Sequence, residues 1–139
     1  MIVLDTNVLS EAIKPAPSDA VLRWLAAQAP HEVFATSITQ AEILYGVELL
    51  PAGKRRDRMA AAVDKIFTED LKTPILTFDE YAARAYAKLA AARQASGRPI
   101  AQSDGMIAAI ALTHRGAVAT RDIGGFEGCG IQLINPWSA

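Results

Sequence analysis

The stretch Ile2-Val3-Leu4-Asp5-Thr6-Asn7 constrains this chain more than any other. Three apolar residues run straight into an aspartate, the pattern of a short buried strand that ends on an acid. In an open α/β sheet, ligands bind outside the carboxyl ends of the strands. Such a strand therefore delivers Asp5 to the edge where these folds do their chemistry. Asp5 also reads as a helix N-cap, opening a helix from Asn7 to Lys14 that Pro15 and Pro17 stop.

The rest of the chain repeats the alternation. Ser18 caps a second helix with Val21, Leu22, Trp24 and Leu25 on its apolar side, and Pro30 ends it. Residues 32–37 read as a second buried strand. Thr39-Gln40-Ala41-Glu42 opens a third helix with Ile43, Leu44, Val47 and Leu50 as its stripe, broken by Pro51 and Gly53. Lys54-Arg55-Arg56-Asp57-Arg58, the densest basic cluster, starts a fourth helix continued by Met59, Val63, Ile66 and Phe67. Residues 73–78 form a third strand, which Pro74 assigns to an edge or a strand start. Asp79 caps a long helix to about Ala95, with Tyr81, Ala85, Tyr86 and Leu89 inward. Ser103 caps the next, Asp104–His114, which Gly116 ends as the C′ residue. Residues 117–120 are a fourth strand running into Arg121-Asp122. A loose glycine loop follows, with Cys129 as a small loop residue, then a last strand at residues 131–134. Strands alternating with helices predict an α/β sandwich with a mostly parallel sheet.

At 139 residues the chain is read as one domain, residues 1–139. The net charge of −1 excludes a general polyanion binder, so contact with nucleic acid needs a local patch or a partner. Two histidines and one cysteine exclude a Cys/His zinc cluster and an intramolecular disulfide. A reducing, cytoplasmic setting fits. No apolar run reaches the ~18 residues of a membrane span, and no signal peptide is read at the start.

Three further acids repeat the placement of Asp5. Asp122 follows a strand, Glu42 opens the helix after the second strand, and Asp104 opens the helix before the fourth. Each has a local structural role on offer: Thr39-x-x-Glu42 fits a capping box, Asp104 suits the helix dipole, and Asp122 suits an Asx turn. In a parallel sheet all four meet at one edge. Crowded carboxylates must take up protons or hold a cation. With no His or Cys nearby, an oxygen-only set suits Mg²⁺, with Mn²⁺ as the variant. A carboxylate-held metal can activate water and steady both oxygens of a phosphodiester displacement. Asp5, Glu42 and Asp104 are the candidate ligands, and Asp122 a fourth ligand or a water orienter. Thr6, Asn7, Ser37, Thr39 and Thr120 are close enough in sequence to support them.

Leu4-Asp5-Thr6-Asn7-Val8-Leu9-Ser10-Glu11, Thr39-x-Ala41-Glu42-Ile43-x-Tyr45-Gly46-Val47, Asp104-Gly105-x-Ile107-Ala108-Ala109, and Thr120-Arg121-Asp122 through Asn135-Pro136-Trp137 resemble a PIN domain. They resemble more closely the VapC toxins of bacterial toxin–antitoxin pairs, in the FitB-like branch. The match runs in order along essentially the whole chain. The resemblance implies a three-layer α/β/α sandwich with a mostly parallel five-stranded sheet, and a Mg²⁺-dependent endoribonuclease. It implies a homodimer neutralised by a small antitoxin of VapB or ribbon-helix-helix type, which reaches DNA only through that antitoxin. It assigns the four acids to Asp5, Glu42, Asp104 and Asp122. Many VapC sequences place the fourth acid three residues later, where this chain has Gly125.

Two other classes fit an acid at a strand end. Aspartyl phosphotransfer of the dehalogenase type wants a second Asp where this chain has Asn7, and a receiver domain wants an acidic pair and a late lysine that are absent. An acidic pocket that only binds a regulatory partner is the third. Divalent-dependent RNA cleavage separates the first class from the others.

Overall fold

The computed structural model describes all 139 residues. Strand β1 (Ile2–Leu4) is followed by helices α1 (Thr6–Ala12) and α2 (Asp19–Ala27), then by β2 (Val33–Phe34). Helices α3 (Ser37–Glu48), α4 (Lys54–Lys65), α5 (Glu80–Ala95) and α6 (Gln102–Thr113) lead to β3 (Ala117–Ala119). The short helix α7 (Ile123–Phe126) and β4 (Leu133–Ile134) close the chain. The sheet has the order β2-β1-β3-β4, with every pair parallel.

The strands alternate their side chains between two cores, as a sheet covered on both faces requires. Val3 and Val118 point into one core with Leu89, Ile107, Ile110 and Phe126. Their neighbours Leu4 and Ala119 point into the other, with Val8, Val21, Ile43 and Val63. The result is the expected three-layer sandwich, with α5 and α6 on one face and α1 to α4 on the other. The chain moves from β1 out to β2, then returns to the other side of β1 for β3 and β4. The direction of winding therefore reverses between β1 and β3. That is the topological switch point, where ligands bind in open α/β sheets.

The sheet has four strands where five were expected. The segment around Pro74 pairs with the end of the β2 segment through one bridge, Thr36 to Leu76. Leu76 N–H donates to Ala35 O and Ser37 N–H to Leu76 O, at 3.0 and 2.8 Å. Pro74 has no N–H to extend this ladder, which stops after one residue.

Several helix ends differ from expectation. Thr36, not Thr39, caps α3 and accepts the Thr39 N–H. The Thr39-x-x-Glu42 capping box therefore does not form, and Glu42 is left for other contacts. Helix α6 starts two residues early, on Ala101, and Ser103 caps nothing. Its far end is a Schellman turn: Gly116 N–H reaches Ala111 O and Arg115 N–H reaches Leu112 O. The left-handed residue is Arg115, with φ 55°, rather than Gly116. Gly116 packs closely on Met1, where a Cβ would meet the Met1 side chain at 3.2 Å. The fourth helix runs into a π-helical turn at Ile66–Asp70. Leu22 and Tyr81, expected inside, are exposed, and Cys129, expected in a loose loop, is buried in the core.

Candidate metal centre at the sheet edge

Asp5 follows β1 directly and is 4% exposed. One carboxylate oxygen, Oδ1, accepts the Thr6 N–H at 2.8 Å and so caps α1. The other, Oδ2, accepts the Thr120 hydroxyl at 2.8 Å. Capping and site placement are thus the same geometry: the strand ends, the chain turns into a helix, and the acid at the junction faces the edge. Burial raises the Asp5 pKa above its ordinary value. The bonds from Thr120 and Thr6 oppose that rise, and the charges of Glu42 and Asp122 add to it.

Thr120, fully buried after β3, ties the two central strands together. Its hydroxyl hydrogen goes to Asp5, and its oxygen accepts the Asp122 N–H at 3.0 Å and Asn7 Nδ2 at 3.3 Å. That uses the one donor and two acceptor sites of a hydroxyl. Asn7 Oδ1 in turn accepts the Arg121 N–H at 3.4 Å. A second relay runs from α1 to α3. Thr6 Oγ1 donates to Glu42 Oε1 at 2.8 Å and lies 2.9 Å from Thr39 Oγ1. Thr6 has one hydroxyl hydrogen, so with that hydrogen on Glu42 it is Thr39 that donates to Thr6. Four of the five expected supporting residues thus make the polar links between strand ends and acids. Ser37 does not; its hydroxyl has no partner and only its N–H is used, by Leu76.

Asp104 stands in the first turn of α6, half-buried. Burial pushes its pKa up to about 6, with the charges of Asp5, Asp122 and Glu42 next in importance and Arg93 opposing them. Asp122 caps α7: Oδ1 accepts the Gly125 N–H at 3.1 Å. A Cβ at residue 125 would collide with the Asp122 carboxylate, so the carboxylate keeps this position only with glycine there.

The four sequence-predicted acids therefore lie around one edge, close enough that each of the other three acids raises the pKa of Asp104. They stand at Coulombic range and are not drawn together as a closed ligand cluster. None of them is among the ion pairs of the chain, which involve Glu11, Glu32, Asp70 and Glu127. Four carboxylates with oxygen donors around them and no paired cation fit a hard divalent ion that keeps part of its water shell. Glu11, although it closes the first motif, serves the fold instead. It pairs with Lys14 and accepts the Ser18 N–H at 3.0 Å, tying α1 to the start of α2.

One residue at this edge carries no mark in the local sequence pattern. Arg93, 6% exposed, binds the carbonyls of Gly125 and Glu127 on either side of the end of α7. The one available signal is its place four residues after Leu89, on the buried stripe of α5.

Residues 2–127 match the PIN domain, and the chain belongs to the PIN-domain family. Over 137 residues it is 44% identical to the VapC ribonuclease Y4jK of Sinorhizobium fredii, covering 99% of this chain and 98% of that protein. It is similar to a chain of FitAcB from Neisseria gonorrhoeae, with a TM-score of 0.89, 37% identity and both chains fully covered. It is also similar to a chain of VapBC2 from Rickettsia felis bound to a promoter DNA fragment. There the TM-score is 0.82 and identity 27%, covering 97% of this chain and 98% of that one.

Proposed function

We propose that this protein is a Mg²⁺-dependent endoribonuclease, the toxin of a type II toxin–antitoxin pair. The observation that carries the reading is the convergence of Asp5, Glu42, Asp104 and Asp122 at the β1/β3 switch point without a paired cation. The name of the VapC ribonuclease relative supports RNA as the substrate. Asp5, Glu42 and Asp104 hold the ion, and Asp122 is a fourth ligand or orients water. A bound divalent ion supplies Lewis-acid activation of water and charge neutralisation at the phosphodiester. Mn²⁺ suits the same ligands.

The chain's own residues do the positioning. Thr120 and Thr6 fix both oxygens of Asp5 and one oxygen of Glu42, leaving the remaining lone pairs for the edge. Asp104 loses its proton when the ion arrives, so affinity rises with pH through the range near 6. A groove of about 250 Å³ runs from Glu42 past Gly46 and Met59 to Arg55. It has Glu42 and Arg55 in its lining, and an RNA strand reaching the acidic edge along it passes Arg55 at the basic start of α4.

The FitAcB and VapBC2 neighbours support an antitoxin as partner, and DNA contact through that partner; the family resemblance implies that it is small and of VapB or ribbon-helix-helix type. A cation offered by the antitoxin to the acidic edge competes with metal there. The toxin acts as a homodimer. No helix is long and apolar enough to cross a membrane.

The test is incubation of metal-free protein with total RNA, with and without Mg²⁺, followed by sequencing of new ends. New ends appear only with Mg²⁺ and not with Asp5→Asn or Asp104→Asn. Unchanged cleavage by both variants rules out the metal-site reading. Expression of the chain alone slows bacterial growth, and the antitoxin restores it; full growth with soluble, active protein removes the toxin assignment.

A further inference from the structure

Arg93 is a buried cation without a carboxylate. Its guanidinium donates from Nε to Arg98 O at 2.6 Å, and from one terminal nitrogen to Gly125 O at 3.0 Å and Glu127 O at 2.8 Å. Taking a guanidinium out of water is costly, and neutral carbonyls offset less of that cost than an acid does. The arrangement needs a reason beyond tying down the end of α5.

The reason lies in what the two distal carbonyls belong to. Gly125 is held from both sides: its C=O accepts from Arg93 and its N–H donates to Asp122 Oδ1. One residue thus separates the buried guanidinium from the fourth carboxylate. Helix α7 has four residues; Phe126 anchors its end in the core, while Gly124 and Gly125 bring no side chain to hold the turn between Phe126 and Asp122. Arg98 straps the same segment from outside, reaching Gly124 O at 3.1 Å and Glu127 Oε2 at 3.3 Å, but it is exposed to solvent. Arg93 makes the equivalent bonds out of water, where they hold geometry more firmly.

We infer that Arg93 is a positioning residue for the metal centre, acting through Gly125 and α7 to hold the Asp122 carboxylate at the sheet edge. This rests on the proposed metal-dependent nuclease function. Asp122 opens a glycine-rich turn, its N–H is tied to Thr120 at the end of β3, and an arginine on a different helix grips the turn from within. The supporting groups around a metal site typically change affinity or activity 10- to 100-fold when removed.

Charge and position predict opposite signs. If Arg93 acted only through its charge, removing it would tighten binding of a divalent cation. If it positions Asp122, removing it weakens binding. The experiment measures Mn²⁺ binding by the spin-resonance signal of free Mn²⁺, together with kcat and the Mg²⁺ needed for half-maximal RNA cleavage. The variants are Arg93→Met, Arg93→Lys, Arg98→Gln, Asp122→Asn and the Arg93→Met/Asp122→Asn double variant, each checked for folding by thermal melting. Arg93→Met weakens Mn²⁺ binding and raises the Mg²⁺ requirement about tenfold, Arg93→Lys recovers part of this, and Arg98→Gln changes either by less than about twofold. In the Asp122→Asn background, Arg93→Met adds less than about a twofold further change.

Tighter or unchanged Mn²⁺ binding by folded Arg93→Met overturns the inference, and so does an undiminished loss in the Asp122→Asn background. If Arg93→Met does not fold, Arg93→Lys decides on the same two readouts. Wild-type protein that binds Mn²⁺ but leaves RNA intact removes the nuclease reading and leaves the inference to the binding data. Wild-type protein that binds no Mn²⁺ removes both.

Discussion

Asp104 shows how a proposed metal-binding residue can oppose the stability of its own fold. Its pKa of about 6, raised by burial first and by Asp5, Asp122 and Glu42 next, means that the folded chain binds this proton more tightly than the unfolded chain does. The ordinary carboxyl value is 3.8, so the contribution of this group to stability is fully present below that pH, is lost as pH rises through about 6, and changes no further above it. Metal-free protein in chelator should therefore melt at a higher temperature at pH 5 than at pH 7.5. Asp104→Asn should make that pH slope shallower and raise the melting temperature at pH 7.5, while abolishing cleavage. An identical slope in wild type and variant would show that the Asp104 charge is not the cause. Thr120 behaves in the opposite way, since the bonds by which it stabilises the fold are those that fix the proposed ligand Asp5. Thr120→Val leaves the Asp122 N–H without its partner and Asp5 Oδ2 without a donor, at a cost of about 1–3 kcal/mol. Denaturant unfolding should show that loss together with reduced cleavage, and Thr120→Ser should restore most of both. A Thr120→Val protein as stable and active as wild type would mean the hydroxyl is dispensable.

Helix α6 carries Asp104 at one end and places Arg115 in the left-handed region just beyond the other. A side chain there costs about 1–2 kcal/mol that glycine avoids. Arg115→Gly should raise the unfolding free energy by about 1 kcal/mol without changing cleavage, because Arg115 is far along the helix from the acids. A lower stability would mean the arginine has a compensating interaction. This helix also shows what a sequence can disclose. Strand ends such as Leu4-Asp5 are legible because the hydrophobic run and the acid are neighbours in the chain. The relation of all four acids follows from parallel alternation, which places every strand end and following helix start on one edge. Caps are less legible: Thr36 and Thr39 carry the same side chain three residues apart, and only the turn angle at Thr36 decides between them. The fifth strand does not form because residues 73–78 have strand composition but a single pairing opportunity. Arg93 is hidden because its partners on α7 are backbone carbonyls more than thirty residues away, which leave no mark on local pattern. The glycines from 124 to 130 look loose in the sequence for the same reason.

Over the whole molecule, charge is nearly balanced, with 14 basic and 15 acidic residues. A polyanionic strand therefore meets no general attraction, and the four carboxylates repel it until a cation is bound. Affinity has to come from a local surface. Lys54, Arg55, Arg56 and Arg58 gather at the start of α4, where their charge opposes the helix dipole and where Gly53 offers no side-chain cap. Local helix stability does not account for them. Arg55 lines the same groove as Glu42, which links one member of the cluster to the acidic edge. Phosphate contacts give affinity and salt dependence but carry no sequence information. Replacing the four cations by glutamine in the non-cleaving Asp104→Asn protein should weaken RNA binding. It should also flatten the dependence of log affinity on log salt, by about 0.7 for each phosphate no longer neutralised. The same replacements in active protein should lower the cleavage rate at moderate salt and leave the cut positions unchanged. A salt slope equal to that of the Asp104→Asn parent would assign the cluster to the antitoxin interface or to solvent, and loss of antitoxin binding by the same variant would choose between those two.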